Sequence, residues 1–290
     1  MDLKKKILVL GSTGMLGHQV VRYFKDADNY IISNLAYRYK LDESTIILNV
    51  FNGKALEEVI VKLNPDFIIN CIGILLRSGQ DEESYIYLNA YLPNQLKRIA
   101  NSINAKLIHI SSDCVFSGLK GEYIESDTRD GKGIYAETKK LGEIIDDTNL
   151  TLRTSMVGPE LKKNGEGLFH WFMRNNEYTL YGFKNTIWSG VTTIELAKVI
   201  GWTIENHITG LHHITNNSPI SKYDLLVLFQ KYTKKVINIK SVDGEYTNKS
   251  FKNTKSLLSY EIPAYEKMII EMADYINNNK TLYPHYKPYS

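Results

Sequence analysis

Three glycines near the start of the chain constrain its fold more than any other feature. Gly11, Gly14 and Gly17 directly follow the apolar residues 7–10 and open a helical pattern that continues to Phe24. A strand that enters a tight glycine turn and then a helix presents backbone N–H groups and the positive end of the helix dipole to a pyrophosphate. The spacing G-x-x-G-x-x-G, placed between a strand and a helix, therefore predicts a site for a nucleotide cofactor.

Apolar runs alternate with helical patterns through the first half of the chain. The runs that predict strands cover residues 7–10, 30–33, 46–48, 67–71, 107–110 and about 150–153. The helical patterns cover residues 15–24, 54–63, 93–102 and about 135–146. This alternation is typical of an α/β fold with a Rossmann-like, doubly wound parallel sheet, whose buried strands are continuously apolar. We predict a dinucleotide-binding Rossmann domain over residues 1–156.

After residue 157 the alternation becomes irregular. Turn residues are frequent there, and helical patterns cover residues 193–204, 222–232 and 265–278. Neither a linker rich in Ser, Gly and Pro nor an internal repeat separates the two halves. We therefore expect residues 157–290 to form mainly a smaller, substrate-binding lobe over the cofactor cleft, with some segments returning to the Rossmann domain.

The composition excludes several classes of function. The net charge is only +3 over 290 residues, and no stretch interleaves basic with aromatic residues, so we expect no nucleic-acid partner. No apolar run approaches the length of about 18 residues that a membrane span needs, and the glycine turn ends the first run too early for a signal peptide. We expect no membrane partner and a cytoplasmic location. The scattered histidines predict no metal site, and Cys71 and Cys114 are expected to be buried, reduced thiols.

Two groups of polar residues carry the predicted chemistry. Tyr135 and Lys139 are four residues apart in a helical pattern, so both side chains lie on one face and can reach one bound molecule. Ser111, Ser112 and Asp113 end the fifth predicted strand. Ligands of open parallel sheets bind outside the carboxyl ends of the strands, so this serine cluster is expected at the binding site.

These motifs together resemble the extended short-chain dehydrogenase/reductase family. Residues 109–118, HISSDCVFSG, are similar to the S-T-D-Y-V-F-D-G segment of the dTDP-4-dehydrorhamnose reductases. Further matches are Asn64-Pro65-Asp66, Ile69-Asn70-Cys71, Asn89 with Pro93, and Leu152-Arg153-Thr154-Ser155. The resemblance is specific over residues 1 to about 160 and thins beyond, although Gly210-Leu211-His212-His213-Ile214 and Tyr223-Asp224 still fit.

The resemblance implies an NAD(P)-dependent oxidoreductase. Its substrate would be the 4-keto group of a nucleotide-linked 6-deoxy sugar, a precursor of surface polysaccharide. Hydride transfer to a ketone leaves negative charge on its oxygen, which Tyr135 would protonate and Ser112 would hold. Lys139 would bind the nicotinamide ribose and, as a nearby cation, lower the pKa of the Tyr135 phenol.

The resemblance also implies the residues that bind the cofactor. They are Gly11, Thr13, Gly14, Met15, Leu16, Gly17, Arg38, Asn49, Val50, Cys71, Ile72, Gly73, Tyr135 and Lys139. Enzymes that select NAD usually carry an acid at the end of the second strand. Here Ser33 and Asn34 are expected at that end, and Arg38 follows, whose guanidinium can pair with a 2′-phosphate. NADPH is therefore the expected cofactor, and NADH remains possible.

The implied substrate residues are Ser112, Asp113, Cys114, Tyr135 and Met156. Cys114 replaces an aromatic residue of the resembling rhamnose enzymes, Ser117 replaces an acid, and Met156 replaces a tryptophan. The smaller Cys114 and Met156 leave room for a bulkier substituent. We therefore expect a UDP-linked 2-acetamido-2,6-dideoxy-hexos-4-ulose to be a better substrate than dTDP-4-dehydrorhamnose.

Two alternative functions remain open on the sequence. A sugar-nucleotide C4 epimerase uses the same serine, tyrosine and lysine. A non-catalytic, dinucleotide-binding regulatory subunit, like the beta subunit of methionine adenosyltransferase, resembles the same reductases. A 4,6-dehydratase is disfavoured because Cys114 stands where its triplet carries a glutamate. The resemblance is also compatible with a homodimer, and the oligomeric state stays open.

Overall fold

A computed structural model describes residues 4–74, 81–255 and 259–286 of the chain. Its strands are β1 (Lys5–Leu10), β2 (Tyr30–Ala36), β3 (Thr45–Ile47), β4 (Phe67–Asn70), β5 (Lys106–Ser112), β6 (Leu150–Thr154), β7 (Met156–Val157), β8 (Thr179–Phe183), β9 (Thr186–Trp188), β10 (Val191–Thr192), β11 (Gly210–His213), β12 (Ile220–Ser221), β13 (Asn238–Val242) and β14 (Thr247–Asn248). Its α-helices are α1 (Gly17–Lys25), α2 (Gly53–Leu63), α3 (Glu82–Tyr85), α4 (Leu92–Ser102), α5 (Ile134–Gly142), α6 (Leu168–Arg174), α7 (Thr193–Glu205), α8 (Lys222–Thr233) and α9 (Tyr265–Asn278). A π-helical turn, Ile86–Tyr91, joins α3 to α4, and a 3₁₀ turn, Asp113–Val115, follows β5.

Seven of these strands form one parallel sheet in the order β11-β6-β5-β4-β1-β2-β3. The order reverses between β1 and β4, because the chain first builds outward through β2 and β3 and then returns to β4. The predicted doubly wound parallel sheet is confirmed. A reversal of strand order opens a crevice at the carboxyl ends of the strands, and Gly11 and Cys71 come directly after the two strands that border it.

The main sheet is buried on both faces, which explains its continuous apolar strands. Along β1, Ile7 and Val9 join one core with helices α1, α7 and α9, whereas Leu8 and Leu10 join a second core with α2 and α4. Successive side chains of a strand point to opposite faces, so each apolar residue of β1 serves one of the two cores.

The second half of the chain contributes to two regions. Strand β11 extends the main sheet beside β6, and α7 packs on α1. The other strands pair in small sheets, namely β8 with β13, β9 with β12 and β14, and β7 with β10. Among the described residues, no helix has the length and apolarity that crossing a membrane requires.

Several predicted boundaries differ from the structure, and two of them bear on the site. Strand β2 ends at Ala36, so Ser33 and Asn34 lie within it. The side-chain amide of Asn34 is buried and donates to Ser44 Oγ at 3.1 Å. This hydrogen bond to a residue beyond the strand offsets the cost of burying the polar amide. Helix α5 ends at Gly142, and Glu143 after it is extended. A Cβ atom added to Gly142 would lie 1.9 Å from the carbonyl oxygen of Asn89.

A buried ion pair joins the end of α5 to the sheet. Arg153 in β6 donates to Glu143 through Nε and Nη2, both at 2.8 Å, and both side chains are almost fully buried. Ser111 Oγ and Arg129 Nη1 also donate to the Glu143 carboxylate, at 2.7 and 2.9 Å. Burial opposes ionisation of this carboxyl, but these donors and the charge of Arg153 outweigh it and hold the pKa of Glu143 below its usual value.

Tyr283 and Tyr286 hold the last described segment against both halves of the fold. The Tyr283 hydroxyl lies 2.8 Å from Nε2 of His18, and Nδ1 of His18 lies 2.7 Å from the Gly14 carbonyl oxygen. This oxygen can only accept, so His18 carries its proton on Nδ1 and accepts from Tyr283. Tyr286 receives a hydrogen bond from the Glu160 backbone at 3.0 Å. Residues 287–290 lie outside the described residues.

We expect Glu143→Gln to lower the free energy of unfolding by about 3 kcal/mol or more, because it leaves the buried guanidinium of Arg153 without its counter-charge. Urea unfolding followed by circular dichroism measures this loss. Glu137→Gln is the matched control on the same helix, since Glu137 is exposed and its ion pair, among the described residues, is with Lys140. Glu137→Gln should lower the free energy of unfolding by less than about 1 kcal/mol. Equal losses in the two variants would contradict the importance of the buried pair.

Candidate active site

The glycine turn after β1 brings the backbone of the helix α1 terminus close to the strand end. A Cβ atom on Gly17 would lie 2.1 Å from the carbonyl oxygen of Gly11, and Gly11 has a φ of +76°. At Gly14 the nearest atom to a Cβ would be the same carbonyl oxygen, at 3.2 Å. Gly11 and Gly17 are therefore required by the fold itself, and Gly14 leaves its other side open.

The turn has the donor set that a pyrophosphate needs. Within the described residues, the backbone amides of Thr13, Met15 and Leu16 donate to no protein acceptor. They precede the first residue of α1, where the helix dipole favours negative charge. Ser12 adds a fully buried hydroxyl without a hydrogen-bond partner. These groups fit the pyrophosphate of a dinucleotide.

The end of β4 forms the neighbouring wall of this crevice. A Cβ on Gly11 would lie 3.0 Å from Cγ1 of Ile72 and 3.2 Å from the carbonyl carbon of Cys71. The Ile72 amide donates to the side chain of Asn70 at 3.1 Å, which fixes the turn before Gly73. The structure thus places two predicted cofactor residues, Cys71 and Ile72, beside the glycine turn, and Gly73 follows them.

The two remaining predicted cofactor segments follow β2 and β3. The carbonyl of Val50 accepts a hydrogen bond from the Tyr87 hydroxyl at 2.8 Å, and the side chain of Asn49 caps the Phe51 amide at 3.1 Å. Arg38 comes two residues after the true end of β2 and is exposed, with its guanidinium 5.0 Å from the centre of the Tyr37 ring. No acidic residue occupies the end of β2.

The structure brings Ser112 and Tyr135 together at the carboxyl end of β5. Tyr135 lies in the first turn of α5, and its phenol is close enough to Ser112 for the serine to lower its pKa. Ser112 Oγ also donates to Asp113 Oδ1 and accepts from the Cys114 amide, both at 3.1 Å. The ring of Tyr85 packs edge-on against that of Tyr135, with 6.5 Å between centroids.

Lys139 lies one turn further along α5 and is buried. Its ammonium donates to the carbonyl oxygen of Ile110 in β5 at 2.7 Å. Burial lowers the pKa of Lys139 to about 8, although the carboxylate of Glu143 raises it. Lys139 uses one of its three N–H donors on Ile110 and retains two for a ligand.

The predicted acidification of Tyr135 is wrong for this structure. Burial raises the pKa of Tyr135 well above its usual value, Cys114 and Asp113 raise it further, and among the main contributions only that of Ser112 lowers it. The cause is that the low-dielectric surroundings disfavour the phenolate. Tyr135 is therefore a fully protonated phenol at neutral pH.

The predicted substrate residues Cys114 and Met156 follow the carboxyl ends of β5 and β6. Cys114 is a half-buried free thiol whose pKa burial raises to about 11. Met156 is half-buried in β7, two residues after Thr154, which is the register partner of Ser112. Ser117, by contrast, donates its hydroxyl to Asp130 at 2.6 Å and thereby holds a turn.

Two further residues, Lys222 and Trp188, were not predicted from the sequence. Lys222 begins α8 and interacts electrostatically with Asp113 and Cys114. Trp188 in β9 presents its ring to the Lys222 ammonium, 5.2 Å from the ring centre. No local pattern marks either residue, because both reach the site through the packing of the second half of the chain.

Comparison with known proteins places this chain in a known family and fold. The family model described as the RmlD substrate binding domain matches residues 5–278. The spore coat polysaccharide biosynthesis protein SpsK of Bacillus subtilis (strain 168) is 26% identical over 268 residues, which are 88% of this chain and 89% of that protein. The methionine adenosyltransferase 2 subunit beta of Xenopus laevis is 24% identical over 265 residues, covering 89% and 70% of the two chains.

Solved structures share the architecture. A dTDP-4-dehydrorhamnose reductase from Bacillus anthracis str. Ames, solved in complex with NADP, superposes with a TM-score of 0.79 at 20% identity. The superposition covers 94% of this chain and 98% of that one. At this identity the likeness concerns the fold, and it agrees with the doubly wound sheet described above.

We expect Gly17→Ala to destabilise the fold by about 3 kcal/mol, because the new methyl group would overlap the Gly11 carbonyl oxygen and force the backbone apart. Gly14→Ala is the matched control, since its methyl group would meet only that oxygen at 3.2 Å. Thermal unfolding of the two variants gives the comparison. A Gly17→Ala variant as stable as the Gly14→Ala variant would contradict the close approach of the two backbone segments.

Proposed function

The chain belongs to the RmlD substrate binding domain family, and on that basis we propose that it is an NADPH-dependent reductase of the 4-keto group of a nucleotide-linked 6-deoxy sugar. The similarity to SpsK supports a role in making precursors of surface polysaccharide. NADPH, when bound, supplies the hydride that reduces the ketone. The protein supplies the binding groups and the proton.

The observation that carries this proposal is the position of Ser112, Tyr135 and Lys139 at the carboxyl end of β5, two strands from β1 and its glycine turn in the parallel sheet. Ser112 donates a hydrogen bond to the keto oxygen and so fixes its position. Tyr135 gives its proton to the same oxygen as negative charge develops there, and its raised pKa keeps it protonated beforehand. The buried ammonium of Lys139 stabilises the phenolate that remains.

The residues after β1, β2 and β4 hold the cofactor in this proposal. The free amides of Thr13, Met15 and Leu16 bind the pyrophosphate, and Gly14 allows it to approach the backbone. The end of β2 presents no carboxylate that would repel a 2′-phosphate, and Arg38 is exposed beside it. This arrangement favours NADPH, with NADH as a poorer substitute.

A second candidate function has a specific observation in its favour. The similarity to methionine adenosyltransferase 2 subunit beta extends over 89% of the chain. In this second candidate, the chain binds a dinucleotide and regulates a partner protein without catalysing a reaction. Oxidation of NADPH by any keto-sugar nucleotide would exclude it as the sole function. A C4 epimerase would instead retain its cofactor and turn over without added nicotinamide.

The test offers 4-keto sugar nucleotides, made in situ by purified dehydratases and epimerases, together with NADPH, and follows the absorbance of the reduced nicotinamide. The wild-type chain should oxidise NADPH, and Tyr135→Phe should lower kcat by roughly 10²- to 10⁴-fold while NADPH binding stays nearly unchanged. Tyr181→Phe, an exposed phenol on β8, should keep kcat within about twofold. Retention of more than about a tenth of kcat in Tyr135→Phe would contradict its role as proton donor.

Arg38→Ala should weaken the binding of NADPH by about tenfold, because one charge-assisted hydrogen bond to the 2′-phosphate is lost. The affinity for NADH, which lacks that phosphate, should hardly change. Arg98→Ala is the control, since Arg98 is also exposed and also lies over a tyrosine ring, that of Tyr91. Isothermal titration with both cofactors measures, for each of the two variants, the ratio of its dissociation constant to that of the wild type. An equal loss of NADPH and NADH affinity in Arg38→Ala would refute the assignment.

A further inference from the structure

The imidazole of His18 links the glycine turn to the last described residues of the chain. His18 lies in the first turn of α1 and is fully buried. Its Nδ1 donates to the carbonyl oxygen of Gly14 at 2.7 Å, and its backbone amide donates to the same oxygen at 3.3 Å. Burial lowers the pKa of His18 to about 4, although the Gly14 carbonyl raises it. The ring is therefore neutral at pH 7, and its single N–H is the one that holds Gly14.

A hydrogen bond to the Gly14 carbonyl also sets the direction of the Met15 amide. The two groups belong to one peptide unit, which is planar and trans, so the N–H points away from the carbonyl oxygen. The Met15 N–H is one of the three amides of the turn that donate to no acceptor in the described part of the chain. His18 therefore fixes the orientation of a donor that we assign to the pyrophosphate.

Tyr283 supports the opposite side of the same ring. Its hydroxyl donates to Nε2 of His18 at 2.8 Å and accepts from the side-chain amide of Gln19 at 2.9 Å. Tyr283 and Gln19 are both almost fully buried, so these hydrogen bonds lie in surroundings of low dielectric. Arg22, one turn further along α1, donates to Asn279 Oδ1 at 3.0 Å. Residues 279–286, the C-terminal segment, thus contact α1 at two points.

The C-terminal segment also holds a loop that contacts the Met15 side chain. Tyr286 accepts from the Glu160 backbone amide at 3.0 Å, and its ring stacks on that of Tyr283 with 5.9 Å between centroids. The Glu160 carboxylate accepts from the Gly167 amide at 2.7 Å. A Cβ atom on Gly167 would lie 3.0 Å from Sδ of Met15. The backbone and the side chain of Met15 are therefore both bounded by residues that the C-terminal segment supports.

The hydroxyl of Tyr283 sets the tautomer of His18. A phenylalanine at this place would keep the ring contacts, and the burial of a hydroxyl is a cost that its hydrogen bonds offset. By donating to Nε2, the hydroxyl leaves the proton of the ring on Nδ1, where it faces Gly14. The Gln19 amide nitrogen, 3.0 Å from Nε2, favours the same tautomer, so loss of the Tyr283 hydroxyl should weaken this arrangement without abolishing it.

We propose that Tyr283 is a positioning residue for the dinucleotide, because through His18 it fixes the Gly14–Met15 peptide in the orientation that binds the pyrophosphate. Tyr283 contributes no group of its own to the pyrophosphate. The inference rests on the proposed function only in so far as the turn binds a nicotinamide dinucleotide. Coupling between two sites is reciprocal, so a bound pyrophosphate in turn stabilises the docked C-terminal segment.

The experiment compares NADP⁺, which contains the pyrophosphate, with 2′-AMP, which ends at the adenosine. Isothermal titration of the full chain gives both dissociation constants. Tyr283→Phe should weaken the binding of NADP⁺ by about three- to tenfold, the range of one neutral hydrogen bond, and leave that of 2′-AMP within about twofold. Tyr265→Phe is the matched control, since Tyr265 is also buried and donates to a backbone carbonyl, that of Ser218, outside the glycine turn. It should change neither constant.

A second variant tests whether Tyr283 acts through His18. His18→Asn supplies an amide donor near the position of Nδ1 but no acceptor in place of Nε2. Adding Tyr283→Phe to this variant should weaken NADP⁺ binding by less than about twofold more, because the connection is already cut. Losses that multiply in the double variant would show that Tyr283 acts by another route and would overturn the proposal.

Hydrogen exchange of the wild type gives a readout that needs no substitution. The Tyr283 amide donates to the Lys280 carbonyl at 3.2 Å, and the Tyr286 amide donates to the Tyr283 carbonyl at 3.0 Å. Saturating NADP⁺ should slow the exchange of both amides by about threefold or more, whereas 2′-AMP should not. Exchange rates that NADP⁺ leaves unchanged would overturn the proposal.

The outcomes also separate this inference from the reductase activity. Equal losses of NADP⁺ and 2′-AMP affinity in Tyr283→Phe, or no loss of either with a normal unfolding temperature, would overturn the positioning role. A wild-type chain that shows the expected binding but never oxidises NADPH would retain this role and refute the reductase. A wild-type chain that does not bind NADP⁺ would overturn both.

Discussion

The carboxylate of Glu143 is the group on which the geometry of the site most depends. It is fully buried, and it stays ionised because Arg153, Arg129 and Ser111 all donate to it. Burying a carboxylate is costly unless such partners are complete, so the strand ends and the end of α5 cannot shift independently. Ser111 precedes the proposed catalytic Ser112, and α5 carries Tyr135 and Lys139. One carboxylate therefore fixes the serine and the helix relative to each other. Arg153 also contacts His213 Nε2 at 2.7 Å, which extends this network to the outermost strand β11.

The parts of the fold that sequence patterns predicted are those that local rules control. The glycine turn could be predicted because Gly11 and Gly17 approach each other within a short segment, and no other residue fits. Tyr135 and Lys139 could be paired because helical geometry alone puts them on one face. The predicted end of β2 was wrong because asparagine is typical of the residues that end a strand. The burial of Asn34 inside β2 depends on its hydrogen bond to Ser44, which the periodicity of the sequence does not reveal.

The rest of the site depends on contacts between distant segments. Lys222 and Trp188 meet because β12 pairs with β9, an antiparallel contact of very short strands in an irregular part of the chain. The pKa of Tyr135 was misjudged for a related reason. Spacing shows which charges are near a phenol but not how completely the surrounding chain buries it, and burial is the larger effect here.

The hydrogen bonds of His18 have a consequence for the order in which the molecule can be completed. The ribosome makes the glycine turn and α1 early, yet Tyr283, the partner of the buried His18 ring, follows 265 residues later. Until that segment arrives, Nε2 of His18 lacks its Tyr283 donor and keeps only the side-chain amide of Gln19, 3.0 Å away, so the imidazole that holds the Gly14 carbonyl is incompletely supported. Contacts of such high sequence separation form late, because a long chain must be closed before they are gained. The nucleotide turn is thus among the first segments to be synthesised and among the last to be fully supported.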